Sequence, residues 1–464
     1  MNVNSGQSRN LCFLSAGELA QEYRIGRSSP IDVIDAHLTR IDILNERLHA
    51  FTEVFRDDAR NAAAASAERH KAGRPLGALD GIPIALKDLF EIEGKMCSAG
   101  SATRAGQISE RTASAVTRLG QHGAILLGKT QTTEFALGGW GTNARLGSPR
   151  NPWVPKTPYT AGGSSSGSAV AVAARLATLA IGTDTGGSVR IPAAFNGLVG
   201  LKTTPGRISL EGVIPLSPSF DTVGPIARTV CDAAVLFTAL IDRPASGADH
   251  LAVLHSGIAG LVLGGVGEDV LAHVHPDIAH AYEASLNVLR TLGARLKRVN
   301  LPRRPQDYQH DQGLIMAAEA YARYGELAEN PSVPMDPAVR ARVLGGDVSA
   351  RSYIQARYRA IEQTHAVEAV LKDCHALLTP TAETPPIPLA DVDETTTPST
   401  LTRFVNLIGF CALAVPNGLT STGLPTSLQI VCRPNDEDLA LRIGLACELD
   451  NPLQNALPPA AMLA

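Results

Sequence analysis

The chain is poor in lysine, in paired cysteines, in long apolar runs and in clustered positive charge, and each shortage removes a class of function. Eight of the 41 basic residues are lysines, so a lysine inside an apolar motif stands out. The seven cysteines (Cys12, Cys97, Cys231, Cys374, Cys411, Cys432, Cys447) are odd in number, scattered and without CxxC spacing. They fit reduced thiols in a cytosolic protein better than a disulfide or zinc framework. The longest apolar run, 169–181, is too short to cross a bilayer and carries Arg175. Residues 1–19 have neither the charged start nor the apolar stretch of a secretory leader. No run of Lys and Arg accompanies the net charge of −4, so no basic field invites nucleic acid. The expectation is a soluble, cytoplasmic protein with no membrane attachment and no direct nucleic-acid contact.

With 464 residues, 44% hydrophobic and 19% charged, the chain can bury a large core without disulfides or metals. One stretch is unusual. Two glycine-and-serine clusters, GGSSSGS (162–168) and TDTGGS (183–188), bracket the alanine-rich run 169–181. Small hydroxyl residues on pliable backbone at both ends of a buried element suit a site that approaches its ligand closely. GGSSSGS alone could be a flexible linker, but linkers do not run straight into a buried segment. A glycine-rich turn entering a buried helix, with N–H groups free at its start, fits better. TDTGGS offers consecutive N–H groups that can curl around one oxygen, as an oxyanion hole requires.

The remainder alternates helix and strand, which indicates α/β architecture. Ser15 with Glu18 and Ser29 with Asp32 have the spacing of capping boxes, and Pro30 suits a first helical turn. Ile31, Ile34, Leu38 and Ile41 then form an apolar stripe on a helix reaching about Asn45. A second, alanine-rich helix covers 57–72. Residues 82–86 read as a short buried strand with Lys87 at its end. A charged, unpaired lysine there would cost several kcal/mol, so it is paired (Asp88 is next to it), neutral or at the surface. Further on, 113–123 reads as helix and 124–127 as strand, followed by strand 260–264, helix 278–292 and strand 295–299. Residues 304–350 are expected to be polar and irregular, a cover over the site, before a helix at 350–371 and a strand at 376–378.

Competing motifs are weaker. Gly163-Ser-Ser-Ser-Gly167 formally matches GxSxG with Ser165 as nucleophile, but a loop precedes it where that elbow needs a strand. Gly264-Gly-Val-Gly267 lacks the third glycine of a dinucleotide loop. His273-Val-His275-Pro-Asp277 has no HExxH or other clustered ligands nearby, so no metal and no cofactor is expected. SxxK is absent.

Taken together, the runs at 162–168, 182–193 and 197–202 resemble the amidase signature family in register. Gly81-Ile-Pro-Ile-Ala-Leu-Lys87-Asp88, Glu134-Phe135, Asn151-Pro-Trp153, Pro380-Thr381 and Gly423-Leu-Pro-Thr-Ser-Leu-Gln429 fall where that pattern places them. The resemblance spans nearly the whole chain. It implies one large α/β/α domain over 1–464, with a central mixed β-sheet flanked by helices. In that domain, N-terminal helices occupy 15–72, the core signature 160–209 and a variable covering region 304–350. It also implies a Ser–cis-Ser–Lys set: Ser188 as nucleophile, Ser164 as the bridging serine behind a cis peptide bond, and Lys87 as base. Thr185, Gly186, Gly187 and Ser188 would supply oxyanion-hole N–H groups, Ser165 and Asp184 would support them, and Arg190 would anchor the loop. For Lys87 to be largely neutral near pH 7 its pKa has to fall by about 3, and burial supplies a cause. Asp88 would oppose this if it faced inward, so it is expected to point away. The sequence departs from the family pattern at Ser166, Thr203, Cys97-Ser98 and Cys411, none of which removes a catalytic group.

Two activities share this core. A free-standing amidase releases amine to water, whereas the A subunit of a glutamine-dependent tRNA amidotransferase hands ammonia on. That subunit usually carries glutamine where Ile191 and Thr222 stand here, so the pattern favours the hydrolase. Segments 137–145, 304–350 and 382–402 should build the pocket, with Leu137, Trp140, Leu146, Ile191, Phe195 and Phe404 as candidate lining. The expected substrate is a small aryl or alkyl amide, with a carbamate, an ester or a small urea-like acid as alternatives and a homodimer left open.

Overall fold

A computed structural model describes residues 10–241, 250–449 and 456–462; the first nine residues of the N-terminal stretch, where no leader is expected, lie outside it. Both expected capping boxes close: Ser15 and Ser29 accept from the N–H three residues on, and Glu18 and Asp32 reach back. The helix Pro30–Leu48 buries Ile34, Leu38 and Ile41, but Ile31 is 41% exposed. Ile31 lies off the buried face, which in that first turn is made by Pro30 and Val33.

Eleven strands form one mixed sheet. They are β1 (Phe51–Val54), β2 (Pro83–Lys87), β3 (Ile125–Thr130), β4 (Leu179–Asp184), β5 (Val199–Lys202), β6 (Thr222–Ala227), β7 (Val262–Val266), β8 (Arg295–Val299), β9 (Ala376–Pro380), β10 (Cys411–Leu419) and β11 (Pro425–Cys432). Their order is β1-β3-β2-β4-β6-β5-β10-β11-β9-β7-β8. β2 runs parallel to β3 and β4, and β7 parallel to β8 and β9; the other neighbours are antiparallel. Side chains alternate between the two faces of a strand, so both faces of the central strands need cover. Ile84, Leu86, Leu179 and Ile181 join one core cluster, while Ala85 and Ala180 join a second, built with Ile34, Leu38 and residues 169–174.

The run 169–181 is two elements rather than one. A helix, Ser166–Ala173, ends in a turn where Arg175 takes a left-handed conformation (φ 64°), and β4 follows. All eight residues of that helix are buried, and only small side chains let a helix lie so close to the sheet. The expected irregular cover at 304–350 is instead largely helical, Pro305–Glu329 and Pro337–Leu344. Pro305 and Pro337 each stand at a helix start, where a missing N–H costs nothing. Polar composition had hidden the helices: the longer one buries Tyr308, Ile315 and Ala320 on one side and packs against the helix Thr400–Leu407. No helix among the described residues is long and apolar enough to cross a membrane. All seven cysteines are free thiols.

Candidate active site

Lys87 closes β2 and is fully buried. Its Nζ donates to Ser164 Oγ at 2.7 Å and to Thr183 Oγ1 at 2.8 Å. Burial pulls its pKa down to about 7, opposed by the charges of Asp184 and Asp221, so the amine is substantially neutral near pH 7. Asp88 turns the other way, accepting from the Ser98 N–H at 3.0 Å and facing Lys129 Nζ at 3.4 Å.

Ser164 follows a cis peptide bond with Gly163, and its carbonyl accepts from Thr132 Oγ1 at 2.8 Å. Ser165, the formal GxSxG serine, joins the two clusters: its N–H donates to the Ser188 carbonyl at 3.1 Å and its Oγ to the Thr183 carbonyl at 3.3 Å. Ser188 lines a cavity of about 340 Å³. Its hydroxyl makes no hydrogen bond among the described residues, so the Lys87–Ser164 leg of the expected relay is in place and the Ser164–Ser188 leg is open. Catalytic hydrogen bonds commonly tighten only when substrate arrives.

The loop 185–189 is held by a buried ion pair. Asp184 accepts from Arg190 Nε at 3.0 Å and Nη2 at 2.9 Å, and from Asn406 Nδ2 at 2.9 Å. Burial alone would raise the Asp184 carboxyl, but the Arg190 charge and these donors outweigh it and leave the pKa lowered. Arg190 spends its remaining donors on the Thr402 carbonyl, Gln429 and Asn406. Gly187, at φ 126°, occupies backbone territory suited to glycine. Its N–H donates to Asp184 at 2.8 Å, which removes it from the expected oxyanion set. The N–H groups of Thr185, Gly186 and Ser188 donate no hydrogen bond among the described residues.

The pocket differs from expectation. Leu137 and Ile191 line the cavity, joined by Leu216 and Met316. Trp140 and Phe195 do not line it: they pack together with Ile191 and Ala382 behind the wall, ring centroids 6.4 Å apart. There the Trp140 indole supports Thr396 of the cavity wall at 3.3 Å. Leu146 is 41% exposed and Phe404 is sealed in the core. An apolar side chain near a motif does not reveal which side of a wall it stands on.

Several neighbours of the site carried no sequence signal. Asp221 accepts from Thr185 Oγ1 and from the Leu216 and Ser217 N–H groups, and burial pushes its pKa up to about 6. Gln312 donates to the Thr185 carbonyl at 3.0 Å and Thr402 to the Gly186 carbonyl at 2.7 Å. Thr183 opens the TDTGGS run, yet nothing in that run marks it as a partner of the lysine. The departures from the family pattern are accommodated locally. Ser98 holds Asp88, Thr203 donates to the Val223 carbonyl at 2.8 Å, and Cys411 Sγ reaches the Arg433 carbonyl at 3.2 Å. Ser166 Oγ is buried without a partner among the described residues. His275 of the His-Val-His-Pro-Asp run caps the helix Pro276–Thr291, its ring accepting from the Asp277 N–H.

Comparison with known proteins gives the site its setting. The family model described as Amidase matches residues 32–441. A 2-amino-5-chloromuconic acid deaminase of Comamonas testosteroni is 36% identical over 450 residues, covering 95% of this chain and 96% of that protein. The A subunit of the glutamyl-tRNA(Gln) amidotransferase of Chloroflexus aurantiacus is 36% identical over 459 residues, covering 90% and 93%. The solved peptide amidase of Stenotrophomonas maltophilia superposes with a TM-score of 0.83 at 30% identity, covering 94% of this chain and 96% of that one.

Proposed function

The chain belongs to the amidase family, whose members act on amide C–N bonds, and on that premise we propose that it hydrolyses a small amide through a Ser188 acyl-enzyme. The observation that carries this reading is Lys87, buried with its amine against the Ser164 and Thr183 hydroxyls and its pKa brought down to about 7. Neutral Lys87 takes the Ser164 proton as Ser164 takes that of Ser188, whose oxygen attacks the carbonyl carbon. The oxyanion formed is met by the N–H groups of Thr185, Gly186 and Ser188. Collapse expels the amine, which receives the proton back along the same relay. Water then attacks the acyl-enzyme by the same route, freeing the acid and Ser188. The apolar part of the wall, Leu137, Ile191, Leu216 and Met316, supports an alkyl or aryl group. The same acyl chemistry would open carbamates and esters.

A second reading, the A subunit of a glutamine-dependent tRNA amidotransferase, is favoured by the Chloroflexus relative, as similar as the deaminase. Against it stand Ile191, in the cavity wall, and Thr222. One panel separates the readings: hydrolysis of amides, carbamates, esters and L-glutamine by the wild type and Ser188→Ala. Loss of amide turnover in Ser188→Ala by about 10³-fold or more is expected. Equal activity in both proteins would remove Ser188 as nucleophile. Turnover of glutamine alone, or copurification with a B subunit, would establish the second reading.

A further inference from the structure

Two guanidinium groups stand in the cavity wall, and their circumstances differ. Arg342 is satisfied: Nη1 donates to the Leu137 carbonyl at 2.9 Å, and Nη2 pairs with the Glu394 carboxylate at 2.7 Å. The guanidinium of Arg403, on the helix Thr400–Leu407, has no carboxylate partner and donates no hydrogen bond among the described residues. Its Nε is buried and orphaned.

Two glycines fix where this group lies. A Cβ at Gly186 would stand 3.3 Å from Arg403 Cγ and 3.6 Å from Nε, and a Cβ at Gly313 would stand 3.4 Å from Nη1. The side chain therefore stretches from the loop that carries the free N–H groups to the covering helix Pro305–Glu329. Burial, with the Arg342 cation nearby, lowers its pKa to about 10, which leaves it charged at neutral pH. A partly buried cation without a carboxylate partner gains from a ligand that brings the counter-charge. Thr395, Thr396 and Thr397 add hydroxyls to the cavity wall.

We propose that Arg403 anchors a carboxylate on the substrate, so that the amide taken by this site is a small acid; this rests on the amide-hydrolase reading above. A guanidinium carries paired N–H bonds in a planar fork that matches the two oxygens of a carboxylate. Because the stem of Arg403 lies against Gly186, the carboxylate and the scissile carbonyl are separated by a short chain. The volume of about 340 Å³ sets the same limit.

The test compares pairs in which a methyl replaces the carboxylate. Succinamate against butyramide places the acid on the acyl portion; N-acetylglycine against N-ethylacetamide places it on the amine portion. In at least one pair the acid should have the higher kcat/KM by roughly ten- to a hundredfold, expressed mainly in KM. Arg403→Met should collapse that ratio and Arg403→Lys should restore part of it. In the unaltered protein succinate should inhibit competitively and 1,4-butanediol should not, a readout that needs no variant to fold. Equal kcat/KM within both pairs, a preference that survives Arg403→Met, or absence of succinate inhibition overturns the anchor. Neutral amides hydrolysed in a Ser188-dependent manner without acid preference remove the anchor alone. Turnover unaffected by Ser188→Ala removes the amidase reading and the anchor with it.

Discussion

A lysine sealed from water is either neutral or compensated, and Lys87 is short of compensation. Of the two carboxylates that bear on it, Asp184 is matched by Arg190, and Asp221 is itself raised by burial to about 6. The base therefore becomes available as pH rises through about 7, and kcat/KM for a neutral amide should climb through that value to a plateau. Asp221→Asn removes a charge that steadies protonated Lys87, so the limb should move to lower pH. Lys87→Arg should cost about 10³-fold or more, because a guanidinium does not give up its proton. A pH–rate profile of the three proteins decides this; a flat profile, or a limb that moves up in Asp221→Asn, would count against Lys87 as base. Lys87 was legible because a rare lysine ended an apolar strand, and Ser164 and Ser188 emerged through the resemblance. Arg403 and Gln312 were not legible. They lie on helices without motifs, and what singles out Arg403, a missing partner, exists only in three dimensions.

At the level of elements the site is a strand, a loop and a short helix, β4 through Arg190–Phe195, clamped by one side chain at each end. Asp184 gathers the Gly187 and Val189 N–H groups, while Arg190 ties the loop to Asn406, Gln429 and the Thr402 carbonyl. Removing one member of a buried pair leaves the other charged without a partner. Arg190→Met should accordingly lower stability by about 3–5 kcal/mol, read from urea denaturation midpoints with an unchanged m value. Arg190→Lys should recover little, since one ammonium cannot replace the fork. A loss below about 1 kcal/mol would mean that the loop is held by its backbone alone. Elements with local rules were read well from sequence: both capping boxes, the strand ending at Lys87, and β8 at 295–299. The run 169–181 misled because uniform burial erases the periodicity that separates helix from strand. Segment 304–350 misleads because polar composition imitates irregular structure, although prolines at helix starts mark the true boundaries.

On the scale of the molecule, sheet order does what sequence order cannot. Placing β2 beside β4 brings Lys87 against Thr183, 96 positions apart, and the loop that enters the buried helix Ser166–Ala173 supplies Ser164. This buries cationic groups in the middle of the sheet: Lys202, also fully buried, has its pKa lowered to about 8 by burial and the nearby Arg190 charge. Such groups write a signature into stability. Lys87 titrates near 7 when folded and near its ordinary 10.5 when unfolded. Between those values the unfolded chain holds the extra proton, so this group's contribution falls as pH drops from about 10 to about 7 and rises as pH climbs. Below about 7 both states are protonated and this contribution does not change. Lys87→Met lacks that proton altogether, so the wild type should gain on the variant from about pH 7 towards 10. Comparing the two proteins cancels groups that do not feel Lys87, such as Lys202 and the raised Glu448 carboxyl. Asp221, which does feel Lys87 and is raised to about 6, is kept out by reading the comparison above about pH 7. Urea midpoints at stepped pH supply the measurement. A stability gap that stays constant across that window would mean that Lys87 remains protonated in the folded protein, and the proposed relay would then lack its base.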